Sequence, residues 1–415
     1  MKITNTSLLS GLPKPLHQNI LKVARILNRS GFQCFIVGGA VRDLLMGRPS
    51  KDFDFTTDAR PGDIISLFNK TIPTGIKHGT VTVLLHKDVF EITTFRSDGK
   101  YSDARHPDSV SFSDTLNEDL LRRDFTMNGI AYDPLENILI DNHGGIDDIK
   151  NRIIQTIGRA EERFLEDGLR TIRACRFSAT LEFEISEDTF HAMKDRKVHE
   201  RTKQIAVERF TDEIFKGLSH EKISRMISSL EESGLISLFI PEYPDKNMTE
   251  EKLLKLDRLF SLPETFKIAK WFSIVNLDQK ARSIASRLKF SGKNIKEIET
   301  FLNIIRFSEP QSDLFKIRKF SSLIKGQYGE NSLPLIQSIS DYSSVNPNIK
   351  KIIHSLSSDP LVIKDLAVNG TDLINEGYRG KEIGNQFNEI LEIVWKSPEK
   401  NQKEILLKVI KKTES

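Results

Sequence analysis

"CFIVGGAVRDLLMGRPSKDFDFTTD", residues 34–58, runs from an apolar stretch through two glycines and an arginine to two aspartates spaced by one residue. The short apolar run Cys34 to Val37 predicts a buried strand. "AVRDLLMG" predicts a helix closed by Gly47. "DFDFTT" alternates polar and apolar residues, as a half-buried strand does. Residues i and i+2 of a strand point the same way, so Asp52 and Asp54 share one face and Phe53 and Phe55 the other. Two adjacent carboxylates repel. A hard divalent cation relieves that repulsion, and Mg²⁺ typically takes one or two carboxylates plus phosphate oxygens. A pair of such ions can stabilise both the attacking and the leaving oxygen of an in-line displacement. Taken alone, the acidic pair also describes a strand facing solvent. The residues upstream change its meaning.

Gly38 and Gly39 lie between the strand and the helix, where glycine lets backbone approach a ligand closely. A helix start offers free N–H groups to phosphate, and Arg42 stands one turn in. No Gly-Lys-Ser/Thr follows, so this is not a Walker loop, and it is not GxGxxG. The combination predicts a site for a nucleoside triphosphate and its metal ions.

The chain has 415 residues, enough for two to four domains. Charged residues make up 29% and the formal net charge is only +3, so any nucleic-acid surface must come from local clustering. Cys34 and Cys175 lie in apolar runs without metal-ligand spacing, which argues against a disulfide framework or structural zinc. The first twenty residues lack a signal-peptide core, and no run approaches a membrane span. A cytoplasmic protein without membrane contact is expected, and no protein partner is evident.

Helix 14–30, strand 34–37, the helix after it, strand 52–57 and a hairpin over 78–96 turning near Lys87–Asp88 predict an α/β head of residues 1–150. Residues 97–110 read as a polar loop. Beyond 151 helical periodicity dominates, over 159–181, 203–218, 222–234, 250–260, 266–275, 279–289, 293–306, 381–396 and 402–412. The expected architecture is an α/β head followed by an all-α neck, 151–235, and an all-α body and tail, 236–415.

Two further arginine motifs stand out. "LLRRDFTMNGIAYD", 120–133, places Arg122, Arg123 and Asp124 before an apolar element, and Asp124 could fix an arginine by a charge-assisted bond. "EDGLRTIRACR", 166–176, spaces Asp167, Arg170, Arg173 and Arg176 by three, one face of a helix. Glu91, between apolar neighbours in "VFEITTF", needs a partner there, which Arg96 or a lysine could supply.

"GGAVRDLLMGRPSKDFDFTT" resembles the nucleotidyltransferase motif of the class II tRNA nucleotidyltransferase and bacterial poly(A) polymerase family, in the polymerase-β superfamily. The likeness continues in "HGTVTV", "EITTFR", "LRRDFTMNGIAYD" and "EDGLRTIRACRF". It is close over 34–180 and looser to the end, through "LKFSGKNIKEI" and "DLAVNGTDLINEGYRGKEIG", which are similar to tails of the CCA-adding branch. The resemblance implies a polymerase-β-like mixed sheet and the addition of CCA, or part of it, to the tRNA 3′ end from CTP and ATP. The chemistry it implies is metal-assisted attack of the 3′-hydroxyl on the α-phosphate with release of pyrophosphate.

By this resemblance Asp52 and Asp54 hold Mg²⁺ with Glu91 a possible third carboxylate, and Gly38, Gly39 and Arg42 hold the triphosphate. Arg123 contacts the nucleotide, Asp167 and Arg170 pair with the base, and Arg173 and Arg176 support it. Cytosine and adenine both present an amine donor beside a ring-nitrogen acceptor, which suits a carboxylate next to a guanidinium. Uracil and guanine present the reverse, and a mismatch leaves buried polar groups unpaired. Gly168 stands where many relatives carry proline or alanine, which predicts a looser helix start.

An A-adding tRNA enzyme or a poly(A) polymerase shares these head motifs and is the alternative. A catalytically silent RNA-binding protein is the rival of another class, and the intact acidic pair speaks against it. No His-Asp dipeptide occurs in the C-terminal half, so no phosphohydrolase activity is expected. Residues 267–296 hold eight lysines and arginines against one acid, a candidate surface for the tRNA backbone. "EGYRGKEIG", 376–384, is either a phosphate clamp or an ordinary helix cap.

Overall fold

A computed structural model describes residues 2–3, 7–98, 110–245, 248–307, 314–328 and 359–410. The backbone forms two compact units, Met1–Leu253 and Leu254–Ser415. The first is built on strands β1 (Lys2–Ile3), β2 (Cys34–Val37), β3 (Phe53–Thr57), β4 (Thr71–Gly75), β5 (Thr80–Leu85), β6 (Asp88–Thr94), β7 (Arg96–Asp98), β8 (Val110–Phe112), β9 (Ile130–Asp133) and β10 (Ile138–Asp141). Eight of these make one sheet in the order β1-β10-β9-β2-β3-β6-β5-β4. Only β3 and β6 pair in parallel; every other neighbour is antiparallel.

Helices α1 (Lys14–Arg29), α2 (Gly39–Leu45), α3 (Pro61–Leu67), α4 (Leu116–Leu121) and α5 (Gly145–Asn151) accompany the sheet. Helix α1 buries Ile20, Val23, Ala24 and Leu27, a stripe at helical spacing. Strand β2 lies inside the sheet and is buried throughout, which is why its sequence is continuously apolar. Strand β3 buries Phe53 and Phe55 and leaves Asp54 open. Phe55 meets Phe90 of β6 edge to face at 5.6 Å. The β5–β6 hairpin turns at His86 and Lys87, with His86 left-handed at φ 56°.

The polar segment after residue 96 departs from a plain loop. Its flanks pair as an antiparallel ribbon, β7 with β8, and residues 99–109 lie outside the described residues.

A two-residue parallel pair, β11 (Ile153–Ile154) with β12 (Glu184–Ile185), accompanies a helical layer. That layer contains α6 (Ala160–Glu166), α7 (Leu169–Leu181), α8 (Glu187–Met193), α9 (Arg196–Thr202), α10 (Val207–Leu218), α11 (Ile223–Glu232) and α12 (Ile236–Phe239). Helix α7 packs against α10 and α11. The single helix expected over 159–181 is therefore two. Asp167 is extended (φ −135°, ψ 107°), and its Oδ1 accepts the Leu169 N–H at 2.9 Å. An aspartate that captures a nearby N–H competes with helix continuation. Gly168 is also tightly packed: a Cβ there would lie 2.6 Å from Thr202 Cα and 2.9 Å from the Arg201 carbonyl oxygen. The looser helix start expected at Gly168 is thus replaced by a close approach of α9 that only glycine permits.

Helix α13 (Glu250–Asp257) crosses the unit boundary. The second unit holds α14 (Glu264–Ile274), α15 (Ala281–Arg287), α16 (Gly292–Phe307), α17 (Leu314–Tyr328), α18 (Gly370–Asn375), α19 (Lys381–Lys396) and α20 (Lys403–Ile410). Trp271, Phe272 and Phe290 are buried, and Phe266 meets Phe301 edge to face. A second cluster joins Leu373, Phe387, Ile390, Val394, Leu406 and Ile410. No described helix is long and apolar enough to cross a membrane.

Candidate active site

The strand-to-helix turn at 37–39 exists because Gly38 adopts φ 75°, ψ −141°, which an L side chain resists. A Cβ on Gly38 would stand 3.4 Å from Arg123 Nη1 and 3.9 Å from Asp54 Oδ2. The three residues therefore meet in the lining of a cleft of about 720 Å³. Nine of the eleven residues singled out from sequence line it: Gly38, Gly39, Arg42, Asp54, Arg123, Asp167, Arg170, Arg173 and Arg176. Asp52 and Glu91 do not line it, yet both act on Asp54. The parallel pairing of β3 and β6 sets Asp54 directly opposite Glu91.

Asp54 is open to solvent by surface area but sits on a cleft floor crowded by protein atoms. That crowding, with the charges of Glu91 and Asp52, raises its carboxyl above the ordinary value; Arg123 opposes the shift. Among the described residues, no three His, Cys, Asp or Glu side chains form a closed metal cage. An incomplete cage with a repelled carboxylate fits Mg²⁺, which completes its shell with phosphate oxygens and water.

The cleft is lined by eight arginines and three aspartates. That excess suits a polyanion. The arginines are held in place. Arg42, 8% exposed, donates to Asp43 Oδ1 through Nε (2.9 Å) and Nη2 (2.8 Å) and to Asn128 Oδ1 through Nη1 (2.9 Å). Arg173 bonds Asp124 Oδ2 through Nε at 2.8 Å. Burial alone would raise the Asp124 carboxyl, but Arg173 and the Asn128 amide bring it down to about 2. Arg176 pairs with Glu213. The Phe177 ring, against Phe125, carries three guanidiniums on it: Arg176 at 3.9 Å, Arg42 at 5.2 Å and Arg173 at 5.3 Å.

Asp167, off the arginine helix, faces the same cleft and accepts from Arg209 Nη2 at 3.2 Å. Arg170 donates to Glu166 (2.6 Å) and to the carbonyls of Arg163 (3.0 Å) and Arg122 (2.9 Å). A guanidinium carries five N–H donors, so these bonds fix its plane and leave capacity for a ligand. Arg123 bonds Asp119 Oδ2 at 3.1 Å, and its Nε is buried without a partner.

Sequence reasoning missed Arg209 and Glu213 on α10, Asn128 and His78, the place of Arg96 in the cleft lining, and the cushion role of Phe177. Glu213 had a signal: it stands on the apolar stripe of Phe210, Ile214 and Gly217, where an acid must have a partner. The charge-assisted bond expected of Asp124 goes to Arg173, a partner 49 residues away that the sequence did not name. The basic stretch 267–296 needs correction. Lys267 is buried and Lys270 half-buried, whereas Lys280, Arg282, Arg287, Lys289, Lys293 and Lys296 are exposed.

A mixed sheet with paired carboxylates beside a glycine turn and an arginine-lined cleft defines a nucleotidyltransferase head. Residues 34–155 match the family model "Poly A polymerase head domain", residues 182–246 the model "Probable RNA and SrmB- binding site of polymerase A", and residues 264–410 the tRNA nucleotidyltransferase domain 2 model. The CCA-adding enzyme of Geobacillus stearothermophilus is 36% identical over 388 residues, 92% of this chain and 93% of that protein. The CCA-adding enzyme of Lactobacillus helveticus is 35% identical over 405 residues, covering 94% and 96%. The crystal structure of the Bacillus stearothermophilus CCA-adding enzyme in complex with CTP aligns with TM-score 0.77 at 31% identity, covering 96% of this chain and 97% of that one. A Thermotoga maritima CCA-adding enzyme complexed with tRNA shares the fold, with TM-score 0.67 at 21% identity over 99% of this chain and 98% of that one. The chain belongs to the class II CCA-adding enzyme and poly(A) polymerase family, and it is a nucleotidyltransferase.

Proposed function

We propose that this chain adds C, C and A to the 3′ end of tRNA from CTP and ATP, releasing pyrophosphate at each step. The observation that carries this reading is the cleft itself. Asp54, the Gly38 turn, Asp167 and Arg170 all line it, and acidic partners hold its arginines Arg173 and Arg176. Similarity to CCA-adding enzymes over most of the chain supports it.

Asp52 and Asp54 would hold Mg²⁺, with Glu91 beside them. Bound there, Mg²⁺ supplies Lewis-acid stabilisation of charge on the reacting phosphate. Gly38 and Gly39 admit the triphosphate close to the backbone, and Arg42 and Arg123 neutralise it. Asp167 accepts the exocyclic amine of cytosine or adenine, and Arg170 donates to the neighbouring ring nitrogen. Arg173 and Arg176 hold the nucleotide from the Phe177 side. Fixed donors act without reorganising at the moment of reaction. The division of labour in this reading is a head of 1–150, a neck of 151–235 and an RNA-binding body and tail of 236–415. Residence in the cytoplasm belongs to the same reading, in keeping with two buried free cysteines.

The test uses purified protein, Mg²⁺ and tRNAs ending in the discriminator base, in C and in CC. Each receives CTP, ATP or both, with products resolved at single-nucleotide length. Two C then one A, followed by a stop, is the expected outcome. One A added only to the CC end would mean an A-adding enzyme, and an open-ended run of A a poly(A) polymerase.

A further inference from the structure

Asp119 on α4 has a side chain 0% exposed, and four donors converge on it. Its Oδ1 accepts from Arg122 Nε at 3.0 Å and Nη2 at 2.8 Å, and its Oδ2 from Arg123 Nη2 at 3.1 Å and Thr56 Oγ1 at 3.1 Å. A carboxylate this buried persists only when paired and hydrogen-bonded. Burial would raise its carboxyl, but the two guanidiniums hold it below the ordinary value.

Thr56 stands two residues beyond Asp54 on β3, and its hydroxyl holds the same Asp119 oxygen that Arg123 binds. Arg123 turns its other terminal nitrogen toward the Gly38 turn and lowers the Asp54 carboxyl. Arg122 offers its carbonyl to Arg170 Nη2 at 2.9 Å. None of these links was visible in the sequence, because Asp119 reads there as one more acid in "NEDLLRRD".

We propose that Asp119 is a positioning residue that fixes Arg123 beside the Asp54 carboxylate. It touches no substrate and acts through Arg123. This role rests on the nucleotidyl-transfer reading above.

The experiment is a double-mutant cycle, reading kcat and KM for CTP on tRNA ending in the discriminator base. Arg123→Gln should lower kcat about 10²-fold to 10³-fold, as loss of one fixed donor does. Asp119→Asn keeps the shape but removes the charge, and should lower kcat at least about 10-fold with a smaller change in KM. The double variant should fall within about 3-fold of Arg123→Gln alone, because both changes remove one function. Thr56→Val removes a single donor without altering charge. It should lower kcat about 3-fold, and that loss should vanish in the Arg123→Gln background. Multiplicative losses in the cycle, or an unchanged kcat in Asp119→Asn, would overturn the proposal. Should Asp119→Asn fail to fold by circular dichroism, the Thr56→Val cycle decides by the same criterion. Absence of nucleotide addition by the wild-type chain would instead overturn the functional reading beneath it.

Discussion

Arg176 and Arg282 each pair with a glutamate, one in each unit of the molecule. In the Arg176–Glu213 pair, whose arginine lines the cleft, the side chains are 13% and 4% exposed, and in the Arg282–Glu299 pair they are 72% and 35% exposed. Similar chemistry has different consequences. Buried, each charge depends on its partner, because removing one leaves the other stranded in protein. Exposed, water and salt screen the pair, and the arginine stays available to any passing phosphate. The first arrangement holds donors in fixed directions, which suits choosing between bases. The second offers charge without direction, which suits an RNA backbone.

The largest expected effect falls on the cleft floor. Asp54→Asn should lower nucleotide addition about 10³-fold. The same variant should lose no stability in metal-free buffer, because its carboxyl is already raised by crowding and by Glu91 and Asp52, so ionising it opposes folding at neutral pH. Adding Mg²⁺ should raise the melting temperature of the wild type and leave the variant unmoved. A magnesium shift that survives in Asp54→Asn would remove this carboxylate from the metal site.

Glu213→Ala should destabilise the protein by about 3–5 kcal/mol, since it strands Arg176. Glu299→Ala should cost no more than about 1 kcal/mol. Thermal melts of both variants test the comparison directly, and equal losses would break it. The Asp124–Arg173 pair sharpens it through pH. Its folded carboxyl lies at about 2 against an ordinary 3.8, so its contribution is complete above about pH 4 and disappears as pH falls toward 2. The amount is about 2 kcal/mol, read as the difference between wild type and Asp124→Asn in acid unfolding. Gly168→Ala should cost about 1–3 kcal/mol, because its Cβ would press on the backbone of Thr202. The smallest effects belong to the second unit. Replacing Lys289, Lys293 and Lys296 with alanine should weaken tRNA binding. The slope of log affinity against log salt should flatten by about 0.7–0.9 for each phosphate no longer neutralised. An unchanged slope would take these lysines out of the RNA surface.

The legible parts of the sequence were those governed by local pattern. The apolar run of β2, the alternation in β3 and the double glycine gave strand, strand and turn, and the described positions agree within a residue or two. Gly38, Gly39, Arg42 and Asp54 reached the cleft on those elements, and Arg170, Arg173 and Arg176 on the one helix that carries them. What stayed hidden depends on pairings distant in sequence. Asp167 meets Arg209 across 42 residues and Arg176 meets Glu213 across 37. Periodicity also ran one helix through Asp167 and Gly168, since step-of-three spacing does not register that Thr202 crowds Gly168. The short helices α8 and α9 were missed because seven residues give too few turns for a clear apolar stripe.

The most direct test of a cleft that reads bases with fixed side chains is incorporation of CTP against UTP on tRNA ending in the discriminator base. Wild type and Asp167→Ala would be compared at matched tRNA occupancy. The account predicts a strong preference for CTP in the wild type and a loss of about 100-fold or more of that preference in the variant, with tRNA affinity unchanged. A variant that still rejected UTP as the wild type does would place discrimination outside this cleft and contradict the account.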